Sequence, residues 1–338
     1  MNAENEKEAL RAYAKTQGID LVGFASIDRF ANAPKEFHPS NIYPRTKTVV
    51  VLAMRVLRGL MESLDQGMLI PYNAHGYGGI NEQFMRNARQ RVACWIEDQG
   101  YSAVPVIQWN GTPHQEPLIC HRTAAVAAGL GEIGWSKVFL SKEFGPLQRF
   151  GIVLTDAEWP SDPLQVGKIC DGCKACVRAC PGGAISKDEA VEFMIEDKVI
   201  RHAKVDMYRC TVAHHGAIDA TYPRQQENFD ISDLEEKYAA MRTDEDDDTR
   251  SYVLGGMLRD EVWRRYPHPI SGLVGSIGLS CAYCGAKGCF RACLEHLEKR
   301  GMLTKTNKYP YHQTDDSETQ SHMLSATRTL DGGDVCVE

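Results

Sequence analysis

The run Cys170-Asp-Gly-Cys173-Lys-Ala-Cys176-Val-Arg-Ala-Cys180-Pro181 constrains this chain more than any other segment of it. Three cysteines stepped by two residues, then a fourth after three more with a proline behind it, is the spacing with which bacterial chains hold a cubane iron–sulfur cluster. Paired Cys-x-x-Cys steps also bind zinc, but a tetrahedral zinc site has no use for the third step or the Cys-Pro ending. In two-cluster ferredoxins the fourth cysteine turns away to ligate a neighbouring cluster. One run therefore implies a second set of ligands.

Cys281-Ala-Tyr-Cys284-Gly-Ala-Lys-Gly-Cys289-Phe-Arg-Ala-Cys293 supplies it, with imperfect spacing. The gaps are two, four and three residues rather than two, two and three, as if two residues were inserted around Gly285 and Gly288. Cys210, in Tyr-Arg-Cys, is a further candidate. Nine thiols thus compete for the eight positions of two 4Fe-4S clusters. By the crossover logic Cys170, Cys173 and Cys176 share one cluster with a cysteine of the late run, and Cys180 joins Cys281 and Cys284 on the other. Cys210, Cys289 and Cys293 stay open between ligand and buried small hydrophobe.

A chain of 338 residues suits about two domains, each with a buried core. The expected division is an α/β core over 1–160, a two-cluster domain over 161–302, and a polar tail over 303–338. A net charge of -7 and a pI near 5.9 argue against a protein that coats nucleic acid, though not against a local groove for one RNA. The N-terminal segment Met-Asn-Ala-Glu-Asn-Glu-Lys has no apolar signal core or twin arginine, and no run of 18 apolar residues stands in the chain, so the expectation is a cytoplasmic protein with no membrane span. There the thiols stay reduced, and many cysteines mean metal ligands rather than disulfides.

Helical periodicity over 4–17 is followed by a strand at Asp20–Ala25 and another at Thr48–Ala53. An amphipathic helix over 81–99 stops at Gly100, and Ser102–Ile107 reads as a strand. A long helix is expected from His121 to the glycines at 129 and 131, then a strand over Phe150–Thr155, then a Pro-marked boundary at Trp159-Pro-Ser-Asp-Pro. This is the pattern of an α+β layer rather than a helical bundle. The acidic stretch 225–250 reads as a solvated loop, and the tail with Tyr309, Tyr311 and His312 as surface. Cys94 and Cys120 read as core residues, Cys336 as a surface thiol.

Two clusters form a wire, and a wire must end at chemistry. No Gly-x-Gly-x-x-Gly follows a strand and no P-loop is present, so a nicotinamide or flavin on a Rossmann unit is not expected. Gly76-Tyr-Gly-Gly79 is too short for a phosphate cradle and reads as a turn. The motif order is more telling. Ala127-Ala-Gly-Leu-Gly-Glu-Ile-Gly134, then Phe144-Gly-Pro-Leu-Gln-Arg-Phe-Gly-Ile-Val-Leu-Thr-Asp156, then directly the four-cysteine run, resembles the corrinoid-dependent reductive dehalogenases and the related epoxyqueuosine reductases. Gly100-Tyr-Ser-Ala-Val-Pro105 looks like a segment those proteins place earlier, and Arg209-Cys210 resembles the isolated thiol ligand of the epoxyqueuosine reductases. The likeness covers about residues 15–295.

The resemblance implies a base-off cobalamin held between a nitroreductase-like α/β core and a ferredoxin-like domain with two 4Fe-4S clusters. It accounts for the absence of the Asp-x-His-x-x-Gly motif of His-ligated cobalamin enzymes. Gly129, Gly131 and Gly145 would let backbone approach the flat cofactor, or else serve as helix cap and turns. A tyrosine proton donor beside a basic residue is implied for a dehalogenase, and Tyr77 and Arg149 are the candidates by position. Where epoxyqueuosine reductases place an aspartate three residues before Pro-Leu, this chain has His114 before Pro117-Leu118. The late cysteine run also departs from both families in its extra Gly285 to Cys289 segment.

The expected activity is reduction of a carbon–halogen or other carbon–heteroatom bond of a small molecule. Electrons would come through the clusters from a low-potential donor such as ferredoxin or flavodoxin. Epoxide removal on a modified tRNA base, and electron transfer without a corrinoid, are the alternatives. Anaerobically purified protein is predicted to contain about eight irons and about eight acid-labile sulfides per chain, read by metal and sulfide analysis; stoichiometric zinc without sulfide would refute the cluster reading.

Overall fold

The strand β2 (Thr48–Arg55) organises the chain, because Val49-Val-Val-Leu-Ala53 is fully buried on both of its faces. It lies between β1 (Leu21–Ser26) and β6 (Gln148–Thr155), and β3 (Ala103–Val106) adds outside β6, in the order β1-β2-β6-β3 with every pair antiparallel. Successive side chains of a strand point to opposite faces, so an unbroken apolar run needs cover on both. Val50 and Leu52 pack with Leu10 and Ala14 of the helix Ala3–Thr16 and with Met85 and Val92 of the helix Met85–Asp98. Val49, Val51 and Ala53 pack with Ala124 and Val126 of the helix His121–Ala127. The result is a mixed α/β fold of three layers.

This computed structural model describes residues 2–65, 69–106, 119–218, 229–243, 247–266, 282 and 284–308. His114, Cys281, residues 244–246 of the acidic stretch and the tail from 309, with Cys336, therefore lie outside the described residues. Among the described residues, no helix is long and apolar enough to cross a membrane.

Several expectations need correction. The helix expected from 81 runs unbroken from 69, with wide π-type turns at Tyr72–Tyr77 and Ile80–Phe84. Gly76 and Gly79 are inside it and do not form a turn. A Cβ on Gly79 would fall 1.7 Å from the Ala74 carbonyl oxygen, so the wide turn demands glycine there. The helix after Cys120 is only seven residues and closes at Gly129 with φ +72. A long hairpin of β7 (Ile185–Ile195) and β8 (Lys198–Val205) went unread, because its charged outer face hides the alternation. The stretch 225–250 is not simply a solvated loop: Ile231, Leu234 and Tyr238, along the helix Ser232–Ala239 and its start, pack on Leu254, Leu258 and Val262 of the helix Asp248–Arg265.

Residues on either side of position 160 share one core. Leu294 and Leu297 of the helix Cys289–Lys299, and Leu303, join the cluster built on Leu10 and Met85. The segment after β6 is tied back as well. Asp162 accepts from Arg11 Nη2 through both carboxylate oxygens at 2.8 and 2.7 Å, from the Phe24 N–H at 3.1 Å, and pairs with Lys7 Nζ at 2.9 Å. Lys7 is only 3 % exposed and its other carboxylate, Glu4 at 3.2 Å, is 59 % exposed, so removing Asp162 strips a buried ammonium of its nearer and better-buried partner. Asp162→Ala is expected to lower the unfolding free energy by about 3 kcal/mol, measured as a shifted denaturant midpoint.

Candidate functional site

Cysteine spacing becomes geometry through Glu132. In the small hairpin of β4 (Glu132–Ile133) and β5 (Phe139–Leu140), Gly131 packs so tightly that a Cβ there would sit 2.0 Å from the Leu140 carbonyl oxygen. The buried Glu132 carboxylate that follows accepts the N–H groups of Lys168 at 2.6 Å, Ile169 at 3.1 Å and Cys170 at 2.6 Å. One carboxylate thus sets the backbone at the head of the cysteine run. The Trp135 N–H points at Cys170 Sγ at 3.4 Å. Cys170, Cys173 and Cys176, the last on the short helix Ala175–Arg178, face one small enclosed space together with Cys293. Burial pushes the Cys176 thiol up to about 11, reinforced by Cys170 and Cys173. It pushes Cys293 well above the ordinary cysteine value, reinforced by Cys170, Cys176, Cys289 and Cys173.

Cys180 belongs to a second group. It meets Cys210 of the helix Met207–His214, Cys284 of the turn Cys284–Lys287, and Cys289 at the start of the last helix. Burial raises Cys284 well above the ordinary value, with Cys289, Cys210 and Cys180 adding to it, and Cys289 rises to about 12 by burial and then by Cys210, Cys180 and Cys176. The irregular late spacing has a local reason. A Cβ on Gly288 would lie 2.9 Å from Pro181 Cδ and 3.1 Å from the Ala179 carbonyl oxygen, so the extra residues slip a bare backbone beneath the Cys180-Pro181 turn. Cys289 and Cys293 are one helical turn apart, and the same helix therefore serves both groups. The three thiols left open by the sequence all join a group: Cys293 with the early three, Cys210 and Cys289 with Cys180 and Cys284.

A cavity of about 490 Å³ opens between the second thiol group and the end of β6. Phe139, Phe150 and Phe290 give it apolar walls; Arg122, Lys137 and Arg149 line it too, and no carboxylate appears among its described lining residues. Arg149 Nε donates to the Gly76 carbonyl at 3.1 Å and Nη2 to the Tyr72 hydroxyl at 3.1 Å, while its guanidinium lies 5.3 Å from the Tyr77 ring centroid. Burial raises the Tyr77 phenol above the ordinary tyrosine value against the opposing pull of Arg149. His214 Nε2 stands 3.1 Å from the Tyr77 hydroxyl. Burial, then His215, Arg149 and Arg259, drive the His214 imidazole well down, so it is neutral. His215 falls to about 4 by burial and Arg259, and His121 to about 4 chiefly by burial and Arg89. His121 Nε2 and the Thr211 hydroxyl have no partner among the described atoms.

Tyr77 and Arg149, singled out separately in the sequence, come together on this wall, whereas His114 lies outside the described residues. Gly129, Gly131 and Gly145 do not line the cavity. Their close approaches are to protein: Gly129 to Pro163, Gly131 to Leu140, and Gly145, at φ +57, to Leu297 and Leu303. Cys94 and Cys120, expected in the core, are both exposed. Cys120 lines the cavity. Burial opposes its ionisation, but the Arg122 guanidinium and hydrogen bonds from Thr123 and Arg122 outweigh it and lower its pKa. Tyr72 and His214 went unread. For His214 a signal existed, since Cys210 and His214 are spaced to share one helix face.

No protein-family model matches the chain. The tetrachloroethene reductive dehalogenase of Desulfitobacterium hafniense is 35% identical over 108 residues, 31% of this chain and 18% of that protein. The epoxyqueuosine reductase of Synechococcus sp. is 30% identical over 206 residues, 55% of this chain and 63% of that protein. Among solved structures, a catabolic reductive dehalogenase in complex with 3-bromo-4-hydroxybenzoic acid aligns with a TM-score of 0.48 at 21% identity, over 74% of this chain and 35% of that one. The epoxyqueuosine reductase from Streptococcus thermophilus aligns with a TM-score of 0.43 at 15% identity, over 96% of this chain and 100% of that one. The chain is thus similar to proteins of both resembled kinds, while spanning 18% of the dehalogenase and 63% of the reductase.

The lowered pKa of Cys120 is testable. Alkylation of Cys120 in cluster-loaded protein, followed by peptide mass mapping, should show a midpoint below that of free cysteine, and Arg122→Ala should move that midpoint up by on the order of one pH unit.

Proposed function

We propose that this chain is a cytoplasmic, cobalamin-dependent iron–sulfur reductase of the reductive dehalogenase and epoxyqueuosine reductase kind. The observation that carries the reading is one cavity with thiols on one wall and the Tyr77–Arg149 pair on another, so that electrons and a proton reach the same space. The thiol groups fit two 4Fe-4S clusters. Each gathers four cysteines, and burial with mutual charge raises the thiols of Cys173, Cys176 and Cys293 in one and of Cys210, Cys284 and Cys289 in the other, a donor set that thiolate-bound iron would neutralise. Cys170, Cys173, Cys176 and Cys293 would hold one cluster; Cys180, Cys210, Cys284 and Cys289 the other.

The cavity fits part of a corrinoid. Its aromatic walls suit the face of a macrocycle, and the unpartnered Thr211 hydroxyl and His121 Nε2 suit hydrogen bonds to polar side groups. At about 490 Å³ it would take only part of a cobalamin. A bound corrinoid would supply the low-potential metal centre that reduces the carbon–heteroatom bond. The chain's own residues do the rest. The second thiol group brings electrons to the cavity wall. Tyr77 supplies a proton to the reduced product, and the Arg149 guanidinium, held by Gly76 and Tyr72, stabilises the phenolate left behind. A low-potential donor such as ferredoxin or flavodoxin would feed the first cluster.

Reduction of an epoxide on a modified tRNA base is the second reading, favoured by the longer match to the epoxyqueuosine reductase, 206 residues against 108. Anaerobic titration with cobalamin, followed in the ultraviolet–visible range, tests the shared cofactor. Binding with a base-off spectrum is expected, and a protein that never binds cobalamin would be an electron carrier instead. Turnover of halogenated phenols against epoxyqueuosine tRNA then separates the two substrates.

Three variants have expected outcomes. Cys293→Ala should perturb the paramagnetic signal of the cluster held by Cys170, Cys173 and Cys176, and Cys210→Ala that of the other. Tyr77→Phe should keep both signals and lose about 10²- to 10⁴-fold in turnover.

A further inference from the structure

We propose that His214 is the positioning residue of Tyr77: its Nε2–H donates to the phenol oxygen and leaves the phenol's own proton free to point into the cavity. The inference rests on the reading of Tyr77 as proton donor given above. His214 Nε2 lies 3.1 Å from the Tyr77 hydroxyl, with ring centroids 5.4 Å apart. Either the phenol donates to the imidazole or the imidazole donates to the phenol. A phenol whose hydrogen is committed to an imidazole nitrogen cannot also deliver it to a molecule in the cavity. The donating tautomer removes that conflict, and it offers a hydrogen bond to the phenolate once the proton has gone.

The surroundings leave the imidazole one ring proton. The charged and titratable groups acting on His214 are His215, Arg149 and Arg259, all of which disfavour a second proton, as burial does. Those facing Tyr77 are Arg149 from β6, Tyr252 from the helix Asp248–Arg265, and Tyr72 and Glu82 from its own helical stretch; of these only Arg149 favours a phenolate. His214 is thus the second stabilising partner of an oxygen that burial makes hard to ionise. The neighbouring His215 is built for the opposite tautomer. Its Nδ1 lies 2.9 Å from the Thr211 carbonyl oxygen, which can only accept, so that nitrogen carries the proton. Adjacent histidines on one helix therefore present different tautomers, one serving the helix and one the cavity.

The test uses the cluster-loaded protein without cobalamin or substrate, so its outcome is independent of the corrinoid reading. In ¹⁵N-histidine-labelled protein, the signals absent from folded His214→Gln should show a protonated Nε2 and an unprotonated Nδ1; the reverse assignment overturns the proposal. With a fluorinated tyrosine placed at position 77 and read by ¹⁹F resonance, His214→Leu should raise the phenol pKa by about one to two pH units. His214→Gln, which keeps an N–H donor, should restore most of that shift. A phenol pKa unchanged or lowered in His214→Leu would show that Nε2 accepts or is uncoupled, and would sink the assignment while leaving the cluster and cobalamin readings as they stand.

Discussion

Eight thiols gathered into two groups, each with one fully buried member and three half-buried ones, are the constraint on which the rest of this structure turns. A buried thiolate without a cation is costly, and several in one space are costlier still, as the raised Cys176, Cys289 and Cys293 values express. Much of the surrounding architecture holds these groups in register. Glu132 gathers the N–H groups of residues 168–170, Gly288 admits the Cys180-Pro181 turn, and Leu294 and Leu297 anchor the last helix in the core beneath the sheet. The two halves of the chain are consequently not separable units in packing terms.

The cavity inverts the polarity of the thiol groups beside it. One wall would concentrate negative thiolates. The described lining elsewhere carries Arg122, Lys137 and Arg149, with buried histidines held neutral by desolvation and neighbouring cations. In the proposed reading, negative charge that develops on a ligand in the cavity would meet these fixed positive groups. Arg149 is central to it, since Tyr72 and Gly76 fix its plane while its face is left to Tyr77 and Phe290.

The wide turns of the helix over 69–98 connect these themes. They carry Tyr72, Asn73 and Tyr77, and Asn73 Oδ1 accepts the Ala282 N–H at 2.8 Å, tying the late cysteine segment to the element that carries the candidate proton donor. Gly79 makes the local geometry possible, because any side chain there would strike the Ala74 carbonyl. A π-type turn in a helix often marks a functional site, since the extra residue redirects side chains.

Cysteine spacing by itself determined that this chain holds clustered thiols, which three belong together, and that Cys180 leaves them, because ligand geometry is encoded in short chain separations. Apolar runs such as Val49–Ala53 and Ile152–Leu154 likewise announced central strands, since burial on both faces leaves no polar position in them. Only the tertiary structure decided the membership of Cys210, Cys289 and Cys293, the meeting of Tyr77 with Arg149 and His214, and the protein-facing roles of Gly129, Gly131 and Gly145. Tyr77, for one, meets Arg149 from 72 positions and His214 from 137 positions further along the chain. No local propensity records such distances, because they are set by how the sheet, the wide-turned helix and the helix over 207–214 pack together.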